Sequence, residues 1–202
     1  MINVTLKDGV VKQYEQGTTA AEVAKSLGAG LYKAACAAKV DGKAVDLRTP
    51  LESDCTLSIL TFDAPEGKHA FWHTASHVLA QAVMRLYPDT KYTIGPAVEN
   101  GFYYDFDVEK PFTPEDLAAI EKEMAAIVKS GVELDRFELD APQARELMKD
   151  QPYKLELIDK HAASGEKVSF YRQNDFTDLC AGPHLMNVAP LKAIKLLQST
   201  GA

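Results

Sequence analysis

The chain has 202 residues, 46% hydrophobic and 25% charged, the balance of a soluble globular protein large enough for one sizeable domain or two small ones. No apolar run approaches the roughly 20 residues of a membrane span, and Met1-Ile2-Asn3-Val4-Thr5 lacks the pattern of a signal peptide, so no membrane partner is expected and the cytoplasm is the expected setting. Residues 1–62 hold 7 basic and 7 acidic side chains, so the whole formal charge of −7 falls after residue 62 and excludes a broad electrostatic grip on nucleic acid by that part.

Ile2, Val4 and Leu6 alternate, Asp8-Gly9 supplies a turn, and Val10, Val11 and Tyr14 begin a return strand, so the chain opens on a hairpin. Thr18-Thr19 caps a helix over 20–27 that Gly28 ends. A second hairpin is expected from Ala34 to Val40 and Lys43 to Leu47 around Asp41-Gly42, and Leu57-Ser58-Ile59-Leu60 closes the sheet. Strand, strand, helix, strands is the order of a ubiquitin-like β-grasp. Asp63-Ala64-Pro65-Glu66-Gly67 reads as a linker, dividing the chain into a first domain (1–62), a linker (63–67) and a second domain (68–202).

In the second domain, Lys68 to Leu86 keeps an apolar stripe through Phe71, Ala75, Val78, Leu79, Ala82 and Val83, with His73, His77 and Gln81 along one edge and Pro88 as the stop. Asn100-Gly101 between Ile94–Val98 and Phe102–Phe106 predicts a hairpin with a type I′ turn, placing Phe102, Tyr104 and Phe106 on one face. Thr113-Pro114-Glu115-Asp116 starts a helix that Gly131 ends. Shorter helices are expected over 143–149 and 154–163. Val168, Phe170 and Tyr171 form a strand leading into Asp175–Cys180, and 193–197 reads as a final strand. The second domain is therefore expected to be α+β.

Chemistry-bearing side chains come in two pairs, His73 and His77 in HTASH and Cys180 and His184 in CAGPH. Residues four apart share a helix face, and Cys-Ala-Gly-Pro-His bends so that its outer members converge. Nitrogen and sulfur donors are the ligand types of zinc, so the four define a pocket with or without metal. Cys36 and Cys55 have no such company, and three cysteines do not make a disulfide framework. Each candidate also has a plainer explanation. The histidines can be satisfied core residues, Cys180 a small buried hydrophobe and His184 a turn residue. Lys154, at a helix start where the dipole disfavours an ammonium, reads from sequence alone as a solvated surface lysine. Asp178 lies two residues before Cys180 and so faces the same side of a strand, or else caps a loop. Tyr104 reads as core with its hydroxyl at the rim.

The order β-grasp, linker, HTASH helix, IGPAVENGFYYDFD, YKLELI and DLCAGPHL resembles the N-terminal half of the bacterial threonyl-tRNA synthetases across essentially the whole chain. The resemblance implies a TGS domain followed by an editing domain of the kind shared with alanyl-tRNA synthetases. It further implies an esterase that removes serine wrongly attached to threonine tRNA, because a synthetic site cannot reject serine strongly on the loss of one methyl. It puts His73 near the terminal ribose and Lys154 with Asp178 around the attacking water. Tyr104 and the backbone near Gly95 would shape the amino-acid side, and His77, Cys180 and His184 would line the remainder.

No cofactor is expected for this hydrolysis. Zinc on His73, His77, Cys180 and His184 is the alternative, and ATP would serve only an aminoacylation domain, of which no motif is present. The expected partner is the serine-bearing 3′ end of tRNA(Thr), with no DNA and no membrane, and family synthetases are homodimers through parts outside this sequence. The chain is thus read as a fragment that cannot charge tRNA. By the same resemblance the family loop carries a basic residue where this sequence has Ala181, so a contact to RNA or to a carboxylate is expected to be missing. The rivals are a zinc-dependent, free-standing deacylase of the alanine-editing kind and a non-catalytic tRNA-docking module.

Overall fold

A computed structural model describes residues 1–162 and 167–200. The chain divides into two compact units, Met1–His73 with Gly182–Met186, and Thr74–Ala181 with Asn187–Ala202. In the first unit, β1 (Ile2–Leu6) and β2 (Val11–Tyr14) form the opening hairpin, followed by α1 (Ala20–Leu27), α2 (Ala29–Ala34), β3 (Ala35–Val40), β4 (Lys43–Val45) and β5 (Cys55–Thr61). The sheet order is β2-β1-β5-β3-β4, with β1 and β5 parallel at its centre and the other pairs antiparallel. This is the expected β-grasp.

Local rules account for most of it. Thr19 accepts from the Glu22 amide while the Glu22 carboxylate accepts from Thr19, a reciprocal cap that starts α1. Ile2, Val4, Ala20, Val23, Ala38, Leu47, Leu51 and Leu57 form the core under the sheet, and Met186 packs against it. The short α2 is not foreshadowed by periodicity because it buries no residue, so there is no apolar face to display.

The 22-residue α3 (Pro65–Leu86) begins earlier than Lys68, so Pro65, Glu66 and Gly67 form its first turn. Proline suits a first helical position, whose N–H would be unpaired anyway. A Cβ on Gly67 would overlap the Thr61 carbonyl, so only glycine lets this turn lie against the end of β5.

In the second unit, the expected long hairpin is broken into two short pieces: β6 (Lys91–Tyr92) pairs with β9 (Phe106–Asp107), and β7 (Ala97–Val98) with β8 (Gly101–Phe102). Val98 pairs with Gly101, so the two-residue connection is Glu99-Asn100 and not Asn100-Gly101. The type I′ turn is thereby corrected: neither Glu99 nor Asn100 has the positive φ it requires. Pro96, which has no N–H to give a ladder, lies in the stretch between β6 and β7. α4 (Pro114–Ser130) has the expected Thr113 capping box, and Gly131 ends it in the left-handed region at φ 64°.

β10 (Asp135–Leu139), α5 (Ala141–Leu147), α6 (Pro152–Ala162), β11 (Val168–Gln173) and β12 (Phe176–Leu179) complete the order. The strands form an antiparallel sheet β10-β11-β12 over a core of Ala144, Met148, Ile158, Val168 and Phe170. β10 is missing from the sequence-based expectation because its residues are half-buried or exposed and mark no apolar run. Residues 193–197 are not a strand: Leu197 is 88% exposed, and the Leu196 amide donates to the Glu121 side chain and not to a neighbouring strand. Ala163, the expected end of α6, lies outside the described residues. Both units mix helices and strands, as the α+β class requires.

Candidate active site

The second unit gathers a set of polar side chains that an ordinary core would exclude. β12 carries Asp178 into the interior, α6 brings Lys154 from its first turn, and the strand break before β9 brings Tyr104. Lys154 is 1% exposed and Asp178 2%. The Lys154 Nζ lies 2.6 Å from Asp178 Oδ1, close but not aligned as a hydrogen bond, while the Tyr104 hydroxyl donates to Asp178 Oδ2 at 2.6 Å. Lys154 Nζ also donates to the Tyr104 oxygen at 3.5 Å and stands 5.2 Å from the centre of the Tyr92 ring. Lys154 is therefore not the solvated surface lysine its helix-start position suggests. Its ammonium, badly placed for the helix dipole, is held by the carboxylate and two aromatic rings. Nor is Asp178 a loop cap.

His77 sits beside this group, its Nε2 3.5 Å from Asp178 Oδ2. Burial first, and then the Lys154 charge, pull its imidazole down to about 3, so it is neutral at physiological pH. The nearby carboxylate does not reverse this, because its charge is already answered by Lys154 and Tyr104. Burial and the Asp178 charge push the Tyr104 hydroxyl well above its ordinary value, which keeps it a donor.

Gly95 abuts Tyr104 so closely that a Cβ there would overlap the ring, and the Ser76 hydroxyl donates to the Gly95 carbonyl at 2.6 Å. Cys180, just past β12, is buried, and its backbone is fixed to Ser169 through both its amide and its carbonyl.

Several supporting residues escape sequence reasoning. Gln151 precedes α6 and accepts from the Tyr92 amide, tying the start of that helix to β6. Gln81 donates to the Gln173 carbonyl, and Gln173 donates to the His77 carbonyl and the Gln81 side chain, binding β11 to α3 beneath His77. Ser76 lies inside HTASH and Gln81 four residues beyond His77, so their helix face was legible although their partners were not. Gln151, Gln173 and Tyr92 carry no local signal.

In the first unit, His73 stacks on His184 with ring centres 4.1 Å apart and planes at 30°. The His184 amide donates to the Asp46 carboxylate at 2.8 Å. One donor atom from each of His73, His77, Cys180 and His184 lies within 4.8 Å of the others, so the cluster could hold a metal ion. Its donors are of the kind zinc takes. A tetrahedral ion, however, needs lone pairs converging from well-separated directions, and two rings this nearly parallel cannot both aim at one ion unless one of them turns.

Two family models match: the TGS domain over residues 2–61, and the threonyl and alanyl tRNA synthetase second additional domain over residues 168–202. The chain therefore combines a ubiquitin-like module with a domain of the aminoacyl-tRNA synthetases. More particularly, it is a homologue of the threonyl-tRNA synthetases over its whole length. It is 55% identical to the threonine–tRNA ligases of Acetivibrio thermocellus and Clostridium perfringens across 100% of its residues, and 52% identical to that of Caldanaerobacter subterraneus across 98%. It spans about a third of the length of these relatives, 32%, 31% and 31% respectively. Among the described residues, no helix is long and apolar enough to cross a membrane.

Proposed function

We propose that this chain is a tRNA-editing module that hydrolyses serine from mischarged tRNA(Thr) in the cytoplasm, with residues 1–62 as the TGS domain, 63–67 as the connection and 68–202 as the editing domain. The observation that carries this is the buried Lys154–Asp178–Tyr104 group beside a neutral His77. Ester hydrolysis needs an attacking water held near the carbonyl, positive or donor groups where the oxyanion develops, and a proton for the departing ribose oxygen. Lys154 and Asp178 supply opposite charges 2.6 Å apart in a site closed to bulk water, so a water between them and the ester is oriented and polarised. Tyr104 fixes the carboxylate, and with the Gly95 backbone it narrows the amino-acid side, which suits exclusion of threonine's extra methyl. His73 is assigned to the terminal ribose, and His77, Cys180 and His184 to binding. No step passes through a metal.

Hydrolysis of seryl and threonyl esters on a short acceptor-stem mimic tests this, with Lys154→Ala and His73→Ala as controls. The seryl ester should be cleaved selectively and both variants should fail; equal cleavage of the two esters would remove the sieve. A zinc-dependent deacylase is the second reading, favoured by the four clustered donors. Stoichiometric zinc whose removal abolishes cleavage would establish it instead.

A further inference from the structure

The first unit is not confined to the N-terminal sequence: Gly182–Met186 belongs to it as well. Two independent contacts seat that loop. The His184 backbone amide donates to an Asp46 carboxylate oxygen at 2.8 Å, across 138 residues of sequence, and Met186 packs against the core that includes Ile2, Val4, Leu47 and Leu57. Asp46 directly follows β4 and sits one residue before Leu47, which is fully buried, so its backbone is held by the same core. A hydrogen bond to a charged acceptor is among the stronger kinds. The ring of His184 is 1% exposed and stacks on His73 at 4.1 Å, so the amide contact fixes the backbone of a side chain assigned to substrate binding.

We propose that Asp46 is a positioning residue for ester hydrolysis: the β-grasp module grips the CAGPH loop through Asp46 and the Met186 seat, and thereby sets the His184–His73 ring pair. The module then holds this ring pair directly, in addition to anything it does toward RNA. The proposal rests on the editing assignment only for its kinetic consequence; the grip itself is a property of the folded chain.

The test compares Asp46→Ala and Asp46→Asn with the parent chain, using amide hydrogen exchange at His184 and hydrolysis of the seryl acceptor mimic. Asp46→Ala should raise His184 exchange at least tenfold and raise KM several-fold with a smaller fall in kcat. Asp46→Asn, which keeps an acceptor oxygen, should restore most of both. Unchanged His184 exchange in Asp46→Ala would overturn the proposal. So would two variants that are equally impaired and equally lowered in melting temperature, because that pattern marks general destabilisation. A parent chain that cleaves no ester would defeat the editing assignment, while the exchange comparison would still decide the grip.

Discussion

The interior of the first unit is built from Ile2, Val4, Ala20, Val23, Leu47 and Leu57, side chains that ask only for close packing, whereas the second unit buries Lys154, Asp178, His77, Gln81 and Gln173. Among the described residues, every buried polar or charged side chain other than His184 lies between Thr74 and Asp178. Apolar burial stabilises at roughly 25 cal/mol per Å², while a buried ion pair is often no better than a hydrophobic substitute. A fold that places lysine and aspartate at 1% and 2% exposure is giving up stability for something that packing alone does not need. The exception, His184, belongs by sequence to the chemical motif and by contact to the apolar unit.

Substitutions can break this contrast to different degrees. Lys154→Ala should lower single-turnover cleavage of the seryl mimic by about 10³-fold, within the span of lost acid–base and electrostatic assistance. It should also cost about 3–5 kcal/mol in urea unfolding, because Asp178 is left buried without its counter-charge. Gly95→Ala should reduce cleavage by about 10²-fold, since the Tyr104 ring must move by about an ångström to admit the new methyl. Tyr104→Phe keeps the ring and removes one donor from Asp178, so roughly tenfold slower cleavage and about 1–3 kcal/mol of lost stability are expected.

A pH titration of stability leaves the chemistry aside, and the difference between the parent and His77→Gln isolates His77 from carboxylates such as Asp116 and Asp175, whose lowered values also cost stability as pH falls. Its folded value is lowered to about 3 from an ordinary 6.5. Above pH 6.5 both folded and unfolded forms are neutral and nothing is lost. As pH falls from 6.5 toward 3 only the unfolded chain takes the proton, so unfolding free energy should drop by up to ~1.4 kcal/mol per pH unit. In His77→Gln that component of the slope should vanish; an unchanged slope would mean the imidazole is not held neutral. The smallest effect on rate belongs to the other unit. Val23→Ala should destabilise by about 1–3 kcal/mol while the folded molecules cleave as fast as the parent, measured well below the melting temperature.

The same contrast explains what sequence could reveal. β1, β2, α1 and α4 follow from alternation, Asp8-Gly9, and the Thr19 and Thr113 caps, all of which act within a few residues. The HTASH helix was legible for the same reason, as was the pairing of its histidines with CAGPH. Lys154 was not, because a lysine at a helix start looks solvated until Asp178, 24 residues away, is folded against it. Gln173 and Gln151 were invisible because their roles are hydrogen bonds to carbonyls and amides on other elements. The misplaced turn at Asn100-Gly101 shows the opposite failure, in which a strong local preference yields to a register set by its neighbours.

α3 is a shaft with its cargo in phase. His73, His77 and Gln81 recur every four residues along one unbroken helix of 22 residues, and each residue of an α-helix advances about 100°. One residue added between His73 and His77 would therefore turn His73 by about 100° away from the face of His77 and Gln81, with no change in any of their identities. The length of this segment is consequently as much a part of the site's chemistry as the histidines it carries.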